Sequence, residues 1–359
     1  MAEASGELYF LSEFDLETQN FTKYVKIGIV KNDRSTEKRI DEHQTGNPRE
    51  IRDVKVILSP QVSKLEKLLH GVFQRQCVGG EWFELVEETL TEAIDFALEQ
   101  AAELRRLEQV VSEVESFGKT ESTEEELPSD EAIRDLAHRF YFLQQSEKKL
   151  KDVEDAVIKK IADLEDLEVR KGLLSENERL TKRTIISRSP SFSKADFKSQ
   201  ELNLYLKFCE SLTVVKQKAL SINKDIKKEV EEGASFFPEW NQEQKEISQL
   251  IVETSELIDD SSSQGALENL MVKRCELMRF RSLYGFRKTN FEYHLKHACG
   301  TASGIKGVCT WERVLGEKEV FDEMRFKEEH PDKHAEYMKS GKSYSRTFVM
   351  PGKRRLIVN

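Results

Sequence analysis

Three runs of the chain, 8–14 (LYFLSEF), 24–30 (YVKIGIV) and 51–58 (IRDVKVIL), are rich in β-branched and aromatic residues and predict strands. The polar stretch DLETQNFTK between the first two reads as a turn. Ser35 is placed to cap a short helix to about Gln44, closed by Gly46-Asn47-Pro48. Pro60 opens a second helix, whose apolar positions Val62, Leu65, Leu68, Leu69, Val72 and Phe73 recur with the 3.6 period. Gly79-Gly80 ends it, and Trp82-Phe83 turns back toward the core. The order β-β-α-β-α over 1–85 is enough for one small core.

The pattern then changes. Residues 86–115 are acidic and helix-prone, and 116–130 (SFGKTESTEEELPSD) read as a low-apolar linker. From Asp130 a long helix carries Leu136, Leu143, Leu150, Val157 and Leu164 at seven-residue intervals, one stripe of a coiled coil. Glu147 and Glu154 interrupt the companion positions. That stripe fits self-association and an intramolecular helical hairpin equally. A break at 186–194 precedes predicted helices at about 195–232, 241–259 and 264–283. Beyond Gly285, helices near 290–298 and 317–340 and a closing pair of strands at 344–350 and 354–358 predict a compact module. The expected fold is multidomain α+β. It comprises a small three-stranded antiparallel domain (1–85), a helical spacer with coiled-coil character (86–284), and an α+β module (285–359).

Charge sharpens this division. The 359 residues carry a net charge of −10, but 84–131 hold 16 acidic side chains against 3 basic, while 270–359 hold 19 basic against 11 acidic. The C-terminal quarter alone has the sign of a nucleic-acid binder. The acidic tract reads as a solvated helix and linker, or as a mimic of nucleic-acid charge. No apolar run approaches the roughly 18 residues that span a bilayer, so no membrane partner is expected. Five scattered cysteines without a CxxC pair argue for a reducing compartment, and a cytoplasmic location is expected.

Candidate chemistry concentrates in the first domain. Hydrolysis of a phosphodiester needs a cation against developing charge, and one carboxylate with waters is a typical Mg²⁺ site. Glu66 on the second helix supplies the carboxylate, with His70 one turn on along the same face. Arg39 on the first helix can fork onto a non-bridging oxygen. Tyr9 in the first strand or Lys26 in the second can act as base if its pKa is lowered. Gly28 would let the backbone approach substrate closely. Each side chain also has an ordinary structural reading: Tyr9 as a strand aromatic, Arg39 and Glu66 as an ion pair, His70 as a core histidine.

Taken in order, the pieces Leu8-Tyr9-Phe10, Lys26-Ile27-Gly28, Arg39, Gln44-Thr45-Gly46-Asn47-Pro48, Leu65-Glu66 with His70, and Gly80-Glu81-Trp82-Phe83 resemble the GIY-YIG nuclease superfamily. The similar branch is the one common in phages and bacterial mobile or defence loci. The resemblance covers about a quarter of the chain. It implies a small antiparallel sheet flanked by helices and one divalent ion, Mg²⁺ or Mn²⁺, held by Glu66. It also implies a phosphate-contacting Arg39 and activation of water centred on Tyr9. Lys26 stands where the wider pattern has its second tyrosine, and 17 residues separate Tyr9 from Lys26. That substitution leaves the base open, with His70 ranked above His43 as its helper.

In the C-terminal module, His294, His297, Cys299 and Cys309 fall in the spacing H-x2-H-x-C-x9-C, which has the donors for a zinc site. A second reading takes Arg287, Lys288, Arg313, Arg346 and Arg354, interleaved with aromatics, as contacts to a DNA backbone. The expected whole is a metal-dependent DNA endonuclease, homo-oligomeric through its helical middle. The rivals are a non-catalytic DNA-binding protein that keeps the nuclease fold, and a coiled-coil scaffold.

Overall fold

The computed structural model describes residues 5–31, 34–45, 49–170, 181–187, 189–233, 237–259, 266–341 and 343–349. The chain opens with β1 (Gly6–Asp15) and β2 (Asn20–Lys31), an antiparallel hairpin that sets Tyr9 opposite Gly28. Helix α1 (Thr36–Gln44) leads to β3 (Glu50–Ser59), which pairs with the other edge of β1. Helix α2 (Val62–Val72) follows, and then two short strands, β4 (Cys77–Gly79) and β5 (Trp82–Glu84). The sheet therefore has five strands in the order β3-β1-β2-β5-β4, not three. The addition comes from Trp82-Phe83, which pairs with Lys26 and Val25 of β2. The turn into it uses positive φ at Gly79 and Gly80, a conformation that costs glycine little.

Strand alternation distributes the side chains to two layers. Leu8, Phe10, Val25 and Ile27 face α2 and the long helix α3 (Glu87–Phe117), whose Ala93, Ala97, Ala101 and Leu104 complete that core. Tyr9, Leu11, Val30 and Ile51 face the other way, toward Ile40 of α1. The first core thus continues past residue 85 to Leu104 and takes in Phe286 from far along the chain.

After α3, the acidic stretch expected as a linker forms β6 (Thr123–Leu127), which is exposed and lies parallel to a later strand. Helix α4 (Glu131–Arg170) is the long heptad helix. Next come β7 (Thr181–Ser187), β8 (Ser191–Phe192), α5 (Lys194–Gln200) and α6 (Leu202–Lys207). A helix expected over 195–232 is interrupted by β9 (Cys209–Gln217), where Thr213, Val214 and Val215 favour an extended chain. Strand β10 (Ser221–Ile222) and helices α7 (Lys224–Glu231), α8 (Asn241–Asp259) and α9 (Ala266–Cys299) follow.

The boundary expected at 285 falls inside α9, which runs through Gly285 without a break. A Cβ at Gly285 would lie 3.1 Å from the Glu147 carboxylate of α4, so this glycine serves helix contact rather than a turn. The segment 290–298 is the end of the same helix. Strands β11 (Ala302–Ile305), β12 (Cys309–Thr310) and β13 (Arg313–Phe321) come next, followed by α10 (Glu323–Glu329), α11 (Pro331–Glu336), β14 (Met338–Lys339) and β15 (Ser343–Val349). The single helix expected over 317–340 is thus β13 and two short helices divided at His330-Pro331, as proline removes the donor that would continue the first. The expected strand at 344–350 is β15, paired with β7, while 354–358 lies outside the described residues.

The heptad stripe is used within the chain. Leu143, Leu150, Val157 and Ile161 of α4 pack with Leu270, Leu277, Phe280 and Tyr284 of α9 and with Ile247 and Leu250 of α8. The seam on which self-association rested is therefore covered. Its interruptions are ion pairs to α9: Glu154, 2% exposed, meets Arg274 and Arg281, and Glu147 meets Lys288. Among the described residues, no helix is long and apolar enough to cross a membrane.

Candidate active site

The α1-facing side of the sheet carries Tyr9, Lys26 and Gly28, with Arg39 coming to it from α1. Tyr9 is 1% exposed, with the positive charge of Arg39 acting on its hydroxyl, and Arg39 itself forms an ion pair with Glu42. Gly28 stands across from it, and a Cβ there would fall 2.5 Å from the Tyr9 hydroxyl oxygen. The room left by Gly28 is taken by the phenol. This corrects its expected role as a point of substrate approach. Burial raises the Tyr9 pKa more than the Arg39 contact lowers it, so the phenol is held protonated rather than poised as a base.

Lys26, 7% exposed, alternates onto the same side and forms an ion pair with Glu81 in the turn before β5. The backbone amide of Ile27 donates to the Glu81 carbonyl at 3.0 Å, which fixes that turn against β2. Glu66 enters from α2. Burial first, and the Glu81 carboxylate second, raise its pKa to about 7, against the pull of Lys26 and Lys31. The Glu81 carboxylate disfavours charge on Glu66, while Glu81 itself is lowered, against its own burial, by pairing with Lys26. Carboxylate oxygens of this kind are the donors that Mg²⁺ or Mn²⁺ would use, one or two at a time with waters. Among the described residues, no three His, Cys, Asp or Glu side chains gather as a closed metal cage.

The two histidines differ in their partners. His70 shares the Glu66 face of α2, but its Nε2 lies 3.0 Å from the Ile27 carbonyl and its ring rests on Phe83. Burial lowers its pKa, so a neutral ring donates to that carbonyl and ties α2 to β2. His43 lies one turn beyond Arg39 on α1, and its Nε2 is buried without a hydrogen-bond partner among the described residues. Burial, then the charges of Lys26 and Arg39, lower its pKa and leave a neutral ring. The i, i+4 spacing of Arg39 and His43 was the available signal for this pairing of faces. Glu81 was visible only as part of Gly80-Glu81-Trp82-Phe83, with no role attached to it.

The C-terminal candidates are held differently. Arg287 makes two bonds to Glu243, at 2.5 and 3.0 Å, and Lys288 pairs with Glu147. Arg313 is 0% exposed, donates to the Ala302 carbonyl at 3.1 Å and stacks 4.1 Å from the Trp311 ring centroid. Buried in this way, Arg313 cannot reach a DNA backbone. The side chain of Arg346 and all of Arg354 lie outside the described residues. The four-ligand zinc arrangement is not formed. Cys299 and Cys309 are buried with sulfurs 3.8 Å apart, while His297 bonds Glu113 at 2.6 Å and His294 lines a separate cleft with Trp240.

Residues 6–98 match a nuclease-associated domain family, which supports a nuclease-like, DNA-acting character for this stretch. That family is the T5orf172 domain, and the match covers about a quarter of the chain. No curated protein and no solved structure matches the chain.

Proposed function

We propose that the chain is a metal-dependent endonuclease that hydrolyses DNA phosphodiesters with its N-terminal domain. The observation that carries this reading is the cluster of Glu66 and Glu81 with Lys26, Arg39 and Tyr9, in which Glu66 is raised to about 7 by burial and by its fellow carboxylate. A divalent ion bound at Glu66, with Glu81 beside it, would supply positive charge against the developing pentacovalent phosphate. Arg39, part-exposed and paired with Glu42, would exchange that partner for a non-bridging oxygen. Lys26 adds a second positive charge on the same side. We assign the proton of the attacking water to the neutral His43, whose Nε2, buried and without a partner among the described residues, would have to be uncovered as substrate binds, since Tyr9 is held protonated. Service in defence against foreign DNA, or in mobile-element biology, is proposed on the resemblance alone.

The test is nicking of supercoiled plasmid, with modified phage DNA and RNA as parallel substrates, in Mg²⁺, Mn²⁺ or EDTA. Wild type is expected to cut only with metal. Glu66→Gln and Arg39→Ala should each lower the rate by at least about 10²–10³, the usual loss for a group that stabilises transition-state charge, while duplex binding persists. Plasmid that stays intact in both metals while the protein shifts it on a gel overturns the nuclease reading in favour of DNA binding alone.

A further inference from the structure

With Arg287, Lys288 and Arg313 engaged inside the fold, the cationic surface available to a nucleic acid lies elsewhere. A cleft of about 450 Å³ opens where α2 meets α4 and α9. Its wall carries five cations, Lys64, Lys67, Lys151, Arg281 and Lys288, against one carboxylate, Glu147. Lys288 is committed to Glu147 and Arg281 to Glu154. Lys64 donates to Asn290 at 2.8 Å and lies 5.0 Å from the Phe286 ring centroid, which anchors it against α9. Lys67 and Lys151 are exposed and, among the described residues, have no ion-pair partner. These two lysines thus stand on a concave surface where cations outnumber carboxylates, a local field that attracts a polyanion.

The position on α2 connects this cleft with Glu66. At about 100° per residue, Lys67 stands one step round the helix from Glu66, and Lys64 lies about 160° from it, facing α9. Lys67 is therefore the exposed shoulder between the carboxylate and the cleft. A chain of phosphates crossing that shoulder meets Lys151 on one side and the Glu66 cluster on the other.

We propose that this cleft holds the phosphodiester backbone of duplex DNA beside the scissile bond. The proposal rests on the DNA-cleaving reading and assigns it a binding surface built largely by helices outside the T5orf172 match. The lysines meet phosphates, so the cleft grips without reading sequence.

The experiment titrates the full chain into a fluorescently labelled duplex of about 20 base pairs in EDTA, between about 50 and 200 mM salt, with anisotropy as readout. Lys67→Glu combined with Lys151→Glu should weaken binding at least about tenfold and flatten the salt slope by about two, one unit for each phosphate no longer neutralised. Glu147→Gln, which removes the one carboxylate of the wall, should tighten binding about two- to threefold. Circular dichroism of each variant confirms that the fold is kept. Wild-type affinity and slope in the double variant overturn the proposal. So does a double variant that binds duplex normally but loses labelled ATP, which would make the cleft a nucleotide site. The two readings fail separately. Cleft-dependent duplex binding without plasmid cutting removes the nuclease and keeps the surface. Unimpaired cutting and binding by the double variant removes the surface and keeps the nuclease.

Discussion

Glu66 illustrates how burial and one neighbour can define a side chain's chemistry. Its pKa moves from an ordinary 4.5 to about 7, through burial first and Glu81 second. Between those values the folded chain keeps a proton that the unfolded chain has released, so this group makes stability fall as pH rises from about 4.5 to about 7. Glu66→Gln removes that dependence. The variant should match wild type near about pH 4.5 and exceed it by about 1 kcal/mol at about pH 8, a figure discounted for solvent screening of a half-exposed carboxylate. Thermal melts of both proteins across that pH range measure this, and a constant gap between them contradicts it. At the alkaline end, Mg²⁺ should raise the melting temperature of wild type and not of Glu66→Gln. Tyr9, Arg39 and Glu66 were readable as candidates because their order and residue types are local. That Gly28 makes room for the phenol, that His70 Nε2 is tied to the Ile27 carbonyl, and that His43 Nε2 has no partner among the described residues, depended on strand register and on the carbonyl that His70 meets.

Periodicity served well at the scale of elements where one face of a segment is buried along its whole length. The three main strands and the helices α1, α2, α4 and α8 follow from alternation or from the 3.6 and 3.5 periods. It served badly where a segment is short or where charge sits within a buried face. Glu154 looked like a flaw in a heptad stripe, yet it is a buried anion shared by Arg274 and Arg281 of α9. Removing it leaves two guanidinium groups without their counter-charge. Glu154→Ala should therefore lower stability by about 3–5 kcal/mol, the usual cost of breaking a buried pair from one side. The midpoint of urea unfolding reads this, and a loss under about 1 kcal/mol, the scale of a solvated pair, would show that Arg274 and Arg281 find water instead. Glu147→Ala, at a more exposed pair, should cost far less.

Over the whole molecule, α9 is the connecting element. It packs on α4 and α8, sends Phe286 into the core beneath the N-terminal sheet, and places Ser282 against Gly71 of α2, where a Cβ would collide with the serine oxygen. A fragment ending at residue 85 lacks Ala93, Ala97, Ala101 and Leu104, which cover one face of the sheet. It is expected to aggregate or to give a disordered circular-dichroism spectrum. A fragment ending at 118 should recover sheet and helix signal with a lower melting temperature than the full chain. Well-folded 1–85 would show that α3 is dispensable to that core. The sequence by itself determined the small antiparallel domain, its candidate carboxylate, arginine and tyrosine, and the long apolar stripe, because each is written in local spacing. Tertiary structure alone decided that the stripe is spent within the chain and that Arg287, Lys288 and Arg313 are paired or buried. It alone brought the charge of Glu81 within electrostatic reach of Glu66. Those outcomes rest on partners 11 to 141 residues away, and a charge is neutralised by whichever group the fold brings within reach.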